Sequence, residues 1–425
     1  MNPGRHYRHR SARGFALVLT LALLALLVLA VLALSALTKV NSQIAAVSVY
    51  QTQARQNALL GLSLGLGELQ RQAGADMRLT GMAGVTGIAA NAANSTRHWC
   101  GVWEQANGAF VCWLASGAQT AGGAAVQSGL AAVELIGANT VGAAAANSEH
   151  VIAGKLPLVL TDTAAAPGVP VTVGSYAWLV IDEGVKISAY APAALAIPGI
   201  RPLITSTSAT SAAGKLRAAV DTYGAKLPAV IAYEQLSLLP TPAAALTASV
   251  LQDNFHHITL TARTVSDSAY YAGTLNVNTT STIVWRSLLE TYNSLPAVPP
   301  ITAANLTSKG NALGNGLAAA TAGKAANGPF ASVTAFGAYL ATVFPANGSP
   351  TATQIMNAIG PMLAVRSDTF RVRGYGEAVN PSDATKVEAA AWCEAVVQRT
   401  PDAATNGLGR KFVMLYFRWL GPDDL

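Results

Sequence analysis

Between Phe15 and Thr38 the chain reads FALVLTLALLALLVLAVLALSALT, twenty-four residues with neither a charge nor a proline. Coiled as a helix this run spans ~36 Å, enough to cross a hydrocarbon core of about 30 Å. From Lys39 to Gly74 the pattern changes without a proline to stop it. Apolar positions now fall at Val47, Tyr50, Ala54, Ala58, Leu62, Leu66 and Leu69, the three-and-four spacing of one helical stripe. Gln53, Arg55, Gln56, Asn57, Ser63, Glu68, Gln70 and Arg71 are assigned to the other side. The two stretches predict one helix from about Phe15 to Gln72, near 85–90 Å long. Gly61, Gly65 and Gly67 weaken its distal third by roughly 1 kcal/mol each relative to alanine, so packing of the stripe on a globular body must compensate.

Beyond the helix the period shortens to two. Strand character is found at 98–104, 109–115, 169–181, 185–190 and 255–264. The clearest case is near the C-terminus. There Val387, Ala389, Ala391, Cys393, Ala395 and Val397 form one small apolar face and Glu388, Ala390, Trp392, Glu394, Val396 and Gln398 the other. Segments 369–379 and 411–420 would flank it as an antiparallel meander, with a turn at Asn380-Pro381-Ser382-Asp383. The small face is expected to pack on the long helix. Stretches 137–147 and 302–327 are mostly Ala, Gly, Asn, Thr and Leu and read as surface excursions or weak helices. The prolines of 296–300 mark a linker. The expected class is therefore α+β: a long N-terminal transmembrane-plus-amphipathic helix packed on an antiparallel β-sheet body with Ala/Gly-rich loops. Its parts are a basic leader (1–14), a membrane helix (15–38), the amphipathic continuation (39–73), a β-rich globular region with low-complexity insertions (74–300), and an Ala/Gly-rich segment with the terminal meander (301–425).

Composition sharpens this picture. Hydrophobic residues make up 51% of the 425 and charged residues only 11%, the reverse of the balance that keeps a chain disordered. The net charge is +6, but Arg5, Arg8, Arg10 and Arg13 in the leader account for four of it and leave +2 elsewhere. Basicity placed just before an apolar run is a topology signal, predicting a cytoplasmic N-terminus, rather than a nucleic-acid footprint. A cleaved secretory signal would also begin with basic residues, and Ala33-Leu34-Ser35 could serve as its cleavage site, but its apolar region should run only about 7–15 residues. Three cysteines are too few for a disulfide scaffold. Cys100 and Cys112 lie on neighbouring strand candidates joined through Asn107-Gly108, a hairpin signal. Simple pairing about that turn sets Cys100 opposite a residue near 115, so a disulfide between them needs a bulge or a wider loop; two buried thiols are the other reading. Cys393 faces the small apolar side of its strand and reads as packing.

A basic leader ending in glycine, then phenylalanine, then an apolar helix that turns amphipathic resembles the type IV pilin and type II secretion pseudopilin superfamily. Arg13-Gly14-Phe15-Ala16-Leu17-Val18-Leu19-Thr20 carries the resemblance. It implies processing by a prepilin peptidase between Gly14 and Phe15, methylation of Phe15, and assembly with other pilin or pseudopilin subunits through the N-terminal helix. It also implies a single-pass location in the inner membrane, with the body periplasmic, or extracellular after assembly. The family's major subunits carry glutamate at the fifth mature position, where this chain has Leu19; that departure, tolerated in large tip pseudopilins, implies a minor or tip component. RVRGYGEA, AWCEAVVQR and YFRWL also resemble the end of large bacterial pilin-like proteins. The two matches cover a quarter to a third of the chain.

Motifs with chemistry are sparse, and no catalytic, cofactor or metal residue is assigned. Gly61-Leu62-Ser63-Leu64-Gly65 fits the hydrolase nucleophile elbow, which needs a strand before the serine, yet it sits inside the helical stripe. His98, His150, His256 and His257 lack a recognised ligand spacing, and adjacent residues of a strand such as His256 and His257 point to opposite faces. Gly323-Lys324 lacks the rest of a phosphate loop. Asp182-Glu183-Gly184 reads as a hairpin turn. Two functional classes follow. The first is a non-enzymatic, membrane-anchored pilin-like subunit. The alternative is a signal-anchored envelope enzyme or binding protein with its site in residues 74–300.

Overall fold

A computed structural model describes residues 12–88, 96–120, 123–142, 149–163, 166–188, 251–259, 275–293, 295, 298–319, 324, 328–421 and 424. Helix α1 runs unbroken over Ala12–Ala73, so the apolar and amphipathic runs are one element, as their shared phase requires. Every residue from Phe15 to Val49 is exposed. Burial begins at Ala54 and continues through Ala58, Leu62, Leu69 and Ala73. The expected stripe is thus the packing face, but from Tyr50 onward rather than from Val47, which is 51% exposed.

Strands β1 (Arg78–Met82), β2 (Cys100–Glu104) and β3 (Phe110–Trp113) follow as an antiparallel three-stranded sheet. Next come β4 (Ala132–Ile136), the short α2 (Ala138–Val141) and β5 (Val151–Gly154). The central sheet begins with β6 (Leu156–Thr163) and β7 (Ala166–Asp182). After the two-residue strands β8 (Ile187–Ser188), β9 (Ile258–Thr259) and β10 (Leu275–Asn276) come helices α3 (Thr282–Asn293), α4 (Ala303–Gly316), α5 (Val333–Val343) and α6 (Ala352–Ile359). Then β11 (Leu363–Ala364) leads into β12 (Thr369–Asn380), β13 (Asp383–Ala403) and β14 (Arg410–Leu420). The central sheet has the order β14-β13-β12-β7-β6 and is antiparallel throughout. The class is α+β, and the terminal meander is β12-β13-β14, turning at Asn380 and Asp383, which pair with each other.

Two layers bury the two faces of this sheet. On one side lies α1: Ala58, Leu62 and Leu69 meet Trp178, Val180, Phe370, Val372, Cys393, Ala395 and Val397 in a single apolar cluster. The small face of β13 is what lets the helix in, and Cys393 Sγ donates to the Ala58 carbonyl at 3.5 Å. Glycines on both surfaces bring the backbones closer still. A Cβ built on Gly61 would lie 2.6 Å from the Ala177 carbonyl oxygen, and one on Gly374 would lie 2.6 Å from that of Ala58. These two glycines therefore sit at the helix–sheet contact, and the helix propensity lost at Gly61 is exchanged for close approach.

On the other side Leu179, Ile181 and Tyr375 join a larger core with Trp99, Trp103, Trp113, Trp285, Phe330 and Phe336. Trp285 stacks on Phe336 at 5.1 Å. Three helices here, α3, α5 and α6, were not expected from the sequence pattern. They are short, and α5 and α6 are started by Ser332 and by a Thr351–Gln354 capping box. The Ala-rich 302–327 does hold a helix, α4, capped by Thr302.

Several expectations need correction. The boundary drawn at residue 300 does not divide the fold, because β7 and β12 pair from Phe370↔Asp182 to Ala378↔Gly174. Asp182-Glu183-Gly184 is a turn, with the Gly184 amide donating to Asp182 Oδ1 at 2.8 Å, but not a hairpin. Strand β8 pairs in parallel with β9 instead. Of the strands expected at 185–190 and 255–264, only Ile187–Ser188 and Ile258–Thr259 form; residues 189–190 and 260–264 lie outside the described residues. Residues 143–147 lie outside them as well.

Candidate functional site: the bare half of the helix and the groups beneath it

The exposed part of α1 is one helix long and apolar enough to cross a membrane. Its two threonine hydroxyls are satisfied internally, Thr20 Oγ1 donating to the Leu17 carbonyl at 2.9 Å and Thr38 Oγ1 to that of Leu34 at 2.8 Å, as lipid demands of polar groups. The Gly14–Phe15 bond lies in the first turn of α1, and leader residues 1–11 lie outside the described residues. Leu19 is 55% exposed on the bare segment.

The other end of the helix is bolted down by polar groups. Gln70 Nε2 donates to the carbonyls of Leu408 and Arg410 at 3.0 and 2.7 Å, while its Oε1 accepts from the Phe412 amide at 3.1 Å. Asn57 Nδ2 donates to the Glu377 carbonyl at 2.8 Å and Gln53 Nε2 to that of Val173 at 3.1 Å. These three residues were assigned to the solvent side. Instead they border the apolar stripe and satisfy strand carbonyls. Arg399 Nη2 donates to the Gly74 carbonyl at 2.8 Å and pairs with Asp76. Hydrogen bonds from Arg399 and Arg410 hold the Asp76 carboxyl down at about 2.

Under the sheet the charged residues of the C-terminal motifs converge. Glu394, fully buried, accepts from Arg371 Nη1 at 2.8 Å, Arg373 Nε at 2.8 Å, Arg418 Nε at 3.0 Å and the Tyr416 hydroxyl at 3.1 Å. Arg371 Nε also reaches Glu183 Oε1 at 3.1 Å, which accepts from Lys186 at 2.7 Å, while Oε2 accepts from Thr259 at 2.6 Å. Burial would raise both carboxyls, but the surrounding cations overrule it. Lys186 and Arg371 hold Glu183 at about 2, and Arg371, Arg373 and Arg418 hold Glu394 well below the usual carboxylate range. Groups so committed to salt bridges make poor proton acceptors. Nearby, Glu377 joins Lys155, Ser175 and the Tyr375 hydroxyl.

Next to this network lies a histidine–carboxylate cluster. His98 Nε2 is 2.9 Å from Glu149 Oε2, and His256 Nε2 is 2.8 Å from the Glu149 main-chain oxygen. The His98 and His256 rings stack with centroids 3.6 Å apart and planes 5° from parallel. His257 meets Ser281 Oγ at 2.9 Å instead; the two neighbours have different partners, although they lie in the turn before β9 and not in the expected strand. His150 meets Glu134 at 3.2 Å. No sequence signal could have joined His98 to His256, since their segments are far apart in the chain.

The remaining sequence candidates stay apart from one another. Ser63 is exposed on α1, without the strand a nucleophile elbow requires. Cys100, Cys112 and Cys393 are free thiols. The β2–β3 hairpin turns at Asn107-Gly108, with Gly108 at φ +69°, and carries a bulge after Val102 that sets Cys112 opposite Val102 rather than Cys100. Burial pushes the Cys112 and Cys393 thiols up to about 12. Lys324 sits in an isolated bridge with Phe330, and Gly323 lies outside the described residues. Compared with protein-family models, with curated proteins and with solved structures, the chain matches none.

Proposed function

We propose that this chain is a non-enzymatic, membrane-anchored, pilin-like subunit, a minor or tip component of a type IV pilus or a type II secretion pseudopilus. One observation carries the reading: a single helix is bare over Phe15–Val49, with an uncharged apolar run to Thr38, and buried on an antiparallel meander from Ala54 onward. The twenty-four residues of that run rise ~36 Å. Water would not tolerate that surface, so lipid, and after assembly the helices of neighbouring subunits, cover it. The four leader arginines keep the N-terminus in the cytoplasm, which puts the body on the far side of the inner membrane.

Assembly also requires that the leader be removed. Each arginine costs about 2.5–3.5 kcal/mol at the centre of a membrane helix, so a helix entering a bundle of its own kind must lose them. Cutting between Gly14 and Phe15 by a prepilin peptidase achieves this, and leaves Phe15 as the end to be methylated. With Leu19 in place of a carboxylate, the subunit offers nothing to neutralise a neighbour's terminal amine, which suits a position used once rather than along the filament. Intact-mass measurement of the membrane-extracted protein tests the reading. The expected mass begins at methylated Phe15, and Gly14→Val should leave the leader attached while the protein still inserts. A mature end near Ala36, or an unprocessed Met1, would overturn it.

A further inference from the structure

The geometry points to a metal site: we propose that His98, Glu149 and His256 bind one divalent transition-metal ion of the zinc class and so clip together three separate segments of the globular body. Their ligand atoms lie within 4.8 Å of one another, with both histidines buried. Two imidazoles and a carboxylate at 2.0–2.2 Å from zinc are separated by about 3.4 Å in tetrahedral geometry. His98 Nε2 and Glu149 Oε2, at 2.9 Å, would part by about 0.5 Å, and the widest separation would close by at most about 1.4 Å.

The surroundings divide the labour as metal sites do. Arg97 Nη1 lies 3.5 Å from Glu149 Oε1, and Oε2 faces His98 Nε2, so the ion would take the place of the hydrogen bond between those two atoms. The Glu149 main-chain oxygen fixes the His256 ring through its 2.8 Å contact, the type of outer partner that orients ligating imidazoles. The stacked rings favour neutral imidazoles, since two imidazolium ions 3.6 Å apart would repel. Arg97 and Lys186 are the cations that oppose an incoming ion; each has a carboxylate partner, Glu149 and Glu183. The nitrogen-rich ligand set favours zinc-class ions over calcium or magnesium, and the fourth position is left to water. Bound there, the ion joins the segment leading to β2, the entry of β5 and the turn before β9.

The test uses the full-length chain in detergent without an affinity tag, dialysed against zinc chloride and analysed for metal. One equivalent of zinc is expected, with affinity reduced at least 100-fold in His98→Gln and in His256→Gln and unchanged in His150→Gln. Failure of the wild-type chain to hold stoichiometric zinc at micromolar metal would overturn the site, as would undiminished binding in both variants. Should the variants misfold, cadmium-113 NMR of the wild-type chain decides. A shift typical of nitrogen and oxygen ligands supports the site, and one typical of thiolates, or no bound signal, refutes it.

Discussion

Gly374→Ala adds one methyl group at the point where β12 touches α1. Its Cβ would lie 2.6 Å from the Ala58 carbonyl oxygen and 2.8 Å from the Leu62 amide nitrogen, against 3.4 Å for ordinary contact. Both atoms are helix backbone, so no side chain can swing away. The helix must retreat by about 0.8 Å, or the strand must bend by as much. A gap of 0.5–1 Å forfeits a quarter to a half of each dispersion contact it opens, and the contacts at stake include Leu62, Val372, Cys393 and Ala395. Overpacking of this kind costs about 1–3 kcal/mol, and the all-backbone neighbours put this case at the upper end, about 2–3 kcal/mol. Strand propensity works the other way, since alanine in place of a strand glycine gains roughly 0.5–1 kcal/mol. The sign of the result therefore reports whether the helix lies where it is described.

The matching control is Gly67→Ala on α1, where an added Cβ has nothing within 4 Å and helix propensity alone should stabilise by up to about 1 kcal/mol. Urea unfolding of the detergent-solubilised chain, followed by pulse proteolysis, measures both. With a slope of about 1–3 kcal/mol per molar, Gly374→Ala should lower the midpoint by about 1 M and Gly67→Ala should leave it level or raise it slightly. A neutral or stabilising Gly374→Ala would refute the helix–sheet contact, and equal losses in the two variants would refute the assignment of faces on the helix.

Two further outcomes follow from the buried charges. Glu394→Gln removes the carboxylate shared by Arg371, Arg373 and Arg418. It should destabilise by about 3–5 kcal/mol, the cost of leaving buried cations unmatched; Glu388→Gln, at an exposed pair with Lys386, should leave the urea midpoint unchanged. Acid should unfold the chain through the same network. Glu183 has a folded-state pKa near 2 against an ordinary 4.5, so its stabilisation is complete above about pH 4.5 and is lost as pH falls towards 2. That loss amounts to about 3 kcal/mol at 1.36 kcal/mol per unit. Midpoints measured from pH 6 to pH 2 check this, and a stability that stayed flat across the window would contradict the ion pairs.

What the chain's own pattern decided is the local and periodic part of the fold. A run of uncharged, proline-free apolar residues has one low-energy form in lipid, and the steps of three and four through Ala54, Ala58, Leu62 and Leu69 keep the same helical phase. The helix, its packing face and the β12–β13 turn were therefore legible without coordinates. So was the small face of β13, because alternation of Cys393, Ala395 and Val397 with Glu394 and Val396 assigns each side chain to one side. The short helices α5 and α6 carried signals too, in Ser332 and in the Thr351–Gln354 box, but eight to eleven residues offer too few turns for periodicity to speak. Tertiary structure alone decided the rest. Asn57 and Gln70 are polar in any pattern, and only the approach of Glu377 and Phe412 turns them inward. The pairing of β7 with β12 joins residues nearly two hundred positions apart. Glu183 reads as a turn residue until Arg371 and Lys186 close on it, and His98, Glu149 and His256 share no spacing in the sequence. Contacts between distant segments depend on how the layers stack, and no local periodicity encodes that.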